Sequence, residues 1–250
     1  MHVVYHPRCE EVYASDPAAA LGRIECIKHE LEQIFEFVEP TSVTDDVLRL
    51  VHSETHVSWV KHQGLTYEIA VLAVGGAVKA AELAAEGEPA FGLIRPPGHH
   101  ASPDSSWGFC YFNNVAIAVE KLRTAGIVKK VSIVDIDLHY GDGTANFCSS
   151  TPDVTYHHVE GSHRQNYLAD LTGFLAGQRS CDFIAVSAGF DRHALDWGGL
   201  LTTADYEEIG RLVKEYAHRK CDGRVFAVLE GGYNHDVLGK NVKSLLSGLQ

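Results

Sequence analysis

The chain has 250 residues, 45% hydrophobic and 22% charged, the balance of a protein that buries a sizeable core rather than one that stays disordered. Its 21 basic and 33 acidic residues give a net charge of −12, which excludes a phosphate-coating nucleic-acid surface. That charge suits a cationic substrate, although surplus acid also simply keeps a protein soluble.

No apolar run approaches the ~20 residues of a membrane span. The start, Met1-His2-Val3-Val4-Tyr5-His6-Pro7, has no basic stretch leading into an apolar one, so a cytoplasmic protein without membrane contact is predicted. In chain order, Val3 to Tyr5 reads as a first buried strand, and His52 and His56, four apart, as the solvated face of a helix. Ile69 to Ala85 is Ala-rich and predicts a helix ending near Gly87. Ala90 to Ile94 predicts a strand and Asn114 to Thr124 a helix. Val131 to Ile136, Val154 to Tyr156, Phe183 to Ser187 and Val225 to Leu229 are nearly continuous in Val, Ile and Phe, as strands buried on both faces are. Thr203 to Glu207 opens a helix with a capping residue and acids in its first turn, and Asp236 to Leu246 predicts a closing helix. No linker or repeat divides the chain. Residues 1–250 therefore read as one α/β domain, a mostly parallel sheet covered on both faces.

The six cysteines, Cys9, Cys26, Cys110, Cys148, Cys181 and Cys221, are scattered without a Cys-x-x-Cys and read mainly as small core residues. Histidine is the unusual count, at fifteen.

Four apolar runs pass directly into polar sequence, and in parallel sheets functional groups gather at such carboxyl ends. These are Arg95-Pro96-Pro97-Gly98-His99-His100, Asp135-Ile136-Asp137-Leu138-His139-Tyr140-Gly141-Asp142-Gly143, Ala188-Gly189-Phe190-Asp191 and Glu230-Gly231-Gly232-Tyr233. Residues two apart in extended chain face the same way, so Asp137 and His139 can present an oxygen and a nitrogen to one point. Asp191 from a neighbouring strand would complete three ligands with a position left open, as a catalytic zinc requires. Alone, Asp-x-His more often describes a strand-end hydrogen-bonding pair, and adjacent histidines usually point apart. Paired with carboxylates such as Asp135 and Asp142, His99 and His100 could supply an acid and a base near neutral pH. Tyr233, after two glycines, is either an oxyanion donor or a core tyrosine beside a turn.

Taken together these stretches, with Trp107-Gly108-Phe109-Cys110-Tyr111-Phe112-Asn113-Asn114, occur in the order found in the histone deacetylase family, which the chain resembles from about Tyr5 onward. That family includes acetylpolyamine amidohydrolases and acetoin-utilisation proteins. The resemblance implies the arginase–deacetylase fold, a three-layer α/β/α sandwich. It implies that Asp137, His139 and Asp191 ligate a metal, usually zinc with ferrous iron as the other candidate. It pairs His99 with Asp135 and His100 with Asp142, the second histidine being the base, and makes Gly108 and Phe109 the acyl-lysine channel. Tyr233 then polarises the amide carbonyl. The expected activity is hydrolysis of an acetyl or other acyl group from an amine, in an acetyl-lysine protein or peptide, an acetylpolyamine or another small acylated amine, by metal-activated water.

The chain also departs from the family pattern. Only Lys61 to Thr66 stands where the family carries an extended loop, often with a substrate-gripping aspartate. Tyr156-His157-His158-Val159-Glu160-Gly161-Ser162 lacks the serine of the family's structural potassium site, leaving the carbonyls of Asp135, Asp137, His139 and His157 to hold such an ion. Arg192 to Gly198 is slightly short, so a trimmed, open rim is expected. His157, His158 and His163 read as mouth-lining or structural residues. Two other functions stay in view. A binuclear manganese ureohydrolase would need more bridging carboxylates than Gly141 and the Ser187-Ala188-Gly189-Phe190-Asp191 run provide, and a non-catalytic module would bind an acylated ligand without turning it over.

Overall fold

Parallel pairing buries both faces of a strand, and the apolar runs do form such a sheet in the computed structural model, which describes residues 1–178 and 181–250. The strands are β1 (His2–Val4), β2 (Glu36–Val38), β3 (Ala90–Gly92), β4 (Val131–Asp135), β5 (Val154–His158), β6 (Phe183–Ala188) and β7 (Val225–Leu229). They make one seven-stranded sheet in the order β2-β1-β3-β7-β6-β4-β5, with every pair parallel. Alternation divides each strand between two cores. Val225, Ala227 and Leu229 face one apolar cluster, and Phe226 and Val228 the other.

The first face is covered by α1 (Arg23–Leu31), α7 (Arg164–Gly177), α8 (Thr203–Lys220) and α9 (His235–Leu249). Across the sheet lie α3 (Glu54–Lys61), α4 (Leu65–Ala85), α5 (Asn114–Thr124) and α6 (Asp142–Ser149), with the short α2 (Asp45–Leu48) at their margin. The predicted α/β/α sandwich is thus observed. Thr202 rather than Thr203 caps α8, its N–H donating to Asp205 at 2.8 Å. Cys9, Cys110, Cys181 and Cys221 are buried free thiols, and Cys26 and Cys148 are partly so. Between α3 and α4 only His62, Gln63 and Gly64 intervene, which confirms how little chain stands there.

The sheet order fixes where chemistry can occur. Strands β3, β7, β6 and β4 are consecutive neighbours, so the four polar segments that follow them emerge side by side at one edge.

Candidate active site

Beyond β4 the backbone turns through a hydrogen-bonded ladder: Asp137 N–H donates to Asp135 Oδ1 at 3.0 Å, and His139 N–H to Asp137 Oδ1 at 2.9 Å. Beyond β6, Asp191 Oδ1 takes the Leu138 N–H at 2.9 Å, tying the two strand ends together. One ligand atom each from Asp137, His139 and Asp191 then falls within 4.8 Å of the others. Both carboxylates are fully buried, and His139 Nδ1 stands 3.3 Å from Asp137 Oδ1 and 3.1 Å from Asp191 Oδ2. Apart from that ion-pair contact with His139, Asp191 Oδ2 has no hydrogen-bond partner, and a buried carboxylate oxygen so little satisfied is of the kind a cation resolves. The backbone leaves the space for it, because a Cβ on Gly231 would come 2.5 Å from Asp137 Oδ2, and one on Gly189 would collide with the same oxygen. One imidazole nitrogen and two carboxylates fit a zinc or ferrous ion.

The charges answer to this crowding. Burial and the Asp137 carboxylate push Asp191 up to about 6. Its bonds to Asp137 and Asp191 push His139 up to about 10.

Two histidine–aspartate pairs flank the cradle. His99 Nδ1 lies 3.1 Å from Asp135 Oδ2, which also accepts the Tyr156 hydroxyl at 2.9 Å, while Tyr156 takes the Gly141 N–H at 2.8 Å. Glu230 Oε2 accepts the N–H groups of Gly98 and His99 at 2.7 and 3.1 Å and so fixes the loop that carries both histidines. His100 Nδ1 bonds Asp142 Oδ1 at 2.7 Å, and the Trp107 indole N–H reaches Asp142 Oδ2 at 2.9 Å while its ring lies over His100 with centroids 4.0 Å apart. The pairs differ electrostatically. Burial works against a charge on His99, but the carboxylates of Asp137 and Asp135 outweigh it and the net shift is upward. Burial, helped by the neighbouring His99, lowers His100.

Above the cradle a cavity of about 140 Å³ is lined by His99, His100, Trp107, Gly108, Phe109, His139, Trp197 and Tyr233. Gly108 has φ +59°, and a Cβ there would reach 2.5 Å from the His100 ring. Phe109 shares the left-handed conformation at φ 67°, a cost tolerated where it aims the ring across the cavity at Tyr233, centroids 6.2 Å apart. Asp196 Oδ2 accepts the N–H groups of Tyr233 and Asn234 at 2.7 and 2.8 Å, and Trp197 stacks on the Tyr233 ring at 4.0 Å. Burial and the Asp137 charge raise Tyr233, so the phenol keeps its proton.

Six of the ten residues singled out from the sequence line this cavity, and the other four, Asp135, Asp137, Asp142 and Asp191, pair with histidines that line it. Those the sequence left without roles, Tyr156, Glu230, Trp107, Asp196 and Trp197, hold the ten in place through contacts between strands or loops that no local pattern announces. One expectation is corrected. His52 precedes α3 and is buried with His56, not solvated: His52 Nε2 accepts the Asn113 N–H at 2.9 Å and Nδ1 lies 3.0 Å from the Ser102 carbonyl, while His56 Nε2 meets the Tyr111 carbonyl at 2.8 Å. Burial is tolerated because each ring finds backbone partners. His157 pairs with Asp170 at 2.8 Å and stacks on Phe174, and His158 abuts Arg192, both as structural residues. Of the four carbonyls suggested for potassium, that of Asp135 takes the Val159 N–H at 2.9 Å and that of Asp137 takes Arg192 Nε at 3.1 Å.

Comparison with known proteins follows the same lines. A histone deacetylase domain matches residues 17–175 and 162–249. A probable deacetylase of Methanothermobacter thermautotrophicus is 32% identical over 85% of this chain and 78% of its own. Acetylpolyamine amidohydrolase of Mycoplana ramosa is 30% identical over 74% of this chain and 63% of its own. Among solved structures, the HD domain of HDA15 superposes with a TM-score of 0.89 at 25% identity, covering 99% of this chain and 88% of that one. An acetylpolyamine aminohydrolase from Burkholderia pseudomallei shares the fold, with a TM-score of 0.87 at 22% identity over 99% and 98% of the two chains. With its sheet order, its strand-end residues and a domain match running nearly end to end, the chain belongs to the histone deacetylase family.

Proposed function

We propose that this protein is a metal-dependent amide hydrolase that removes an acetyl or other acyl group from an amine, such as an acyl-lysine side chain or an acylated polyamine. One observation carries the reading: three ligand atoms from two neighbouring strand ends converge beneath a cavity walled by two histidine–aspartate pairs and a phenol. Asp137, His139 and Asp191 would hold zinc, or ferrous iron, and such an ion supplies Lewis acidity toward a carbonyl oxygen and toward water.

The chain's own residues do the rest. Phe109 walls the slot for the aliphatic stem of the amine, and the Gly108 carbonyl is an acceptor for the amide N–H. His100, bound to Asp142 through Nδ1, leaves Nε2 as its free nitrogen and takes a proton from the attacking water. The resulting histidinium returns it to the departing amine. Its lowered affinity for protons suits it to begin as the base, whereas His99, beside Asp135 and Asp137, holds a proton more readily. Tyr233, kept protonated, donates to the oxyanion that forms as the carbonyl is attacked. Among the described residues one cluster of three metal-type ligands is found, which favours a single ion over the pair a ureohydrolase needs.

The test is acetate release from acetyl-lysine peptides and acetylated polyamines by purified protein. Activity should vanish with a chelator, return with zinc, and fall about 100- to 1,000-fold in kcat in Tyr233→Phe. Absence of metal-dependent acetate release from every such substrate would defeat the proposal.

A further inference from the structure

Arg192 follows Asp191 directly and is only 8% exposed. A buried guanidinium is costly unless its charge is answered, usually by a carboxylate. Here its hydrogen-bonding partners are of another kind. Nε donates to the Asp137 carbonyl at 3.1 Å, and one terminal nitrogen reaches the carbonyls of Leu138 and Val159 at 3.3 and 3.2 Å and His158 Nε2 at 3.1 Å. The Tyr167 ring lies 5.0 Å away, placed to offer its π face, and its hydroxyl donates to the Ile136 carbonyl at 3.1 Å. Three main-chain carbonyls, a neutral imidazole nitrogen and an aromatic face form the environment that solvates an alkali cation inside a protein.

The elements joined in this way include both segments that carry the candidate metal ligands. Asp137 and Leu138 belong to the segment after β4, Val159 follows β5, Tyr167 lies on α7, and Arg192 itself extends from the end of β6. The carbonyl gripped on Asp137 belongs to the residue whose carboxylate is a candidate ligand. A second cation at these carbonyls would also meet the fixed positive charge of the guanidinium.

We propose that Arg192 supplies, from within the chain, the cation around which the ligand-bearing end of β4 is assembled, so that this protein requires no alkali-metal ion there. Arg192 acts through Asp137 and is a positioning residue. This proposal goes beyond the amide-hydrolase reading, and thermal stability and zinc affinity test it without turnover, so the failure of one is distinguishable from failure of the other.

The experiment has two arms. Wild-type protein, metal-free and zinc-loaded, is melted in KCl, NaCl and choline chloride at equal ionic strength, and the three midpoints should agree within about 1 °C. A saturable, potassium-specific rise in midpoint would overturn the proposal. In the second arm, Arg192→Ala should melt earlier and bind zinc about ten- to a hundredfold more weakly. Guanidinium chloride at low, non-denaturing concentration, or KCl, should restore part of that loss where choline chloride does not, and Arg192→Lys should lose less. Wild-type zinc affinity in Arg192→Ala would overturn the idea, as would a loss that neither potassium nor guanidinium restores. If Arg192→Ala does not fold, the wild-type salt series decides.

Discussion

Gly231→Ala is the most direct probe of the cradle. Gly231 has no left-handed φ, so alanine suffers no backbone strain of its own and any effect comes from the added methyl group. That carbon would lie 2.5 Å from Asp137 Oδ2 and 2.9 Å from Asp191 Oδ2, whereas ordinary contact begins near 3.4 Å. The two oxygens must retreat by about 0.9 and 0.5 Å, several times the tolerance of about 0.2 Å on a metal–ligand distance. Neither is free to swing, since Asp137 Oδ1 holds the His139 N–H and Asp191 Oδ1 the Leu138 N–H, both at 2.9 Å. The expected loss of zinc affinity is about a hundredfold, or roughly 2.7 kcal/mol. Competition against a chromophoric chelator measures it, with Gly173→Ala as control, where a Cβ meets nothing within 4 Å. Thermal melts in parallel should show the metal-induced gain in stability largely gone. If Gly231→Ala binds zinc as tightly as wild type, the cradle does not hold the ion as described.

Three other outcomes follow from the charges. Zinc binding near neutral pH should release at least one proton, because the free site keeps His139 protonated up to about 10 and a ligating nitrogen must give that proton up; calorimetry in buffers of different ionisation enthalpy that finds none would refute this. Since burial and His99 lower His100, and a base works only unprotonated, the acid limb of kcat/KM should fall below the ordinary imidazole range. An acid limb at or above neutrality would assign the base elsewhere. His52 is pushed down to about 3 by burial and by His56, against about 6.5 in an unfolded chain, so the unfolded state takes up its proton first. Its contribution is intact above about pH 6.5 and is lost as pH falls toward 3, by up to about 1.4 kcal/mol per pH unit. Urea unfolding across that range should show a shallower slope in His52→Gln, and equal slopes would refute the assignment.

What the sequence revealed depended on whether a residue's role is local. Val131 to Asp137 announces itself because an apolar run ends abruptly in carboxylates, and the period of two makes Asp137 and His139 face one way. Strand β2 gave no such signal: Glu36–Val38 is a partly exposed three-residue edge, held by backbone pairing to β1 rather than by patterning. Helix α7 buries Tyr167, Leu171 and Leu175 at a spacing of four, but Arg164 falls on the same side and blurs the pattern, while α6 begins inside the site segment at Asp142. Tyr156 reaches Asp135 only through the register that sets β5 beside β4, which no single stretch of sequence encodes. His52 looked like a surface residue because its partners, Ser102 and Asn113, are fifty or more positions away.

Two of the chain's three tryptophans, Trp107 and Trp197, line the cavity, one lying against His100 and the other stacked on Tyr233. Indole emission responds to solvent and is quenched by a neighbouring imidazolium. The protein therefore carries its own optical gauge at the entrance: an amine displacing water from those faces, or a proton arriving on His100, changes the light the unlabelled molecule gives back.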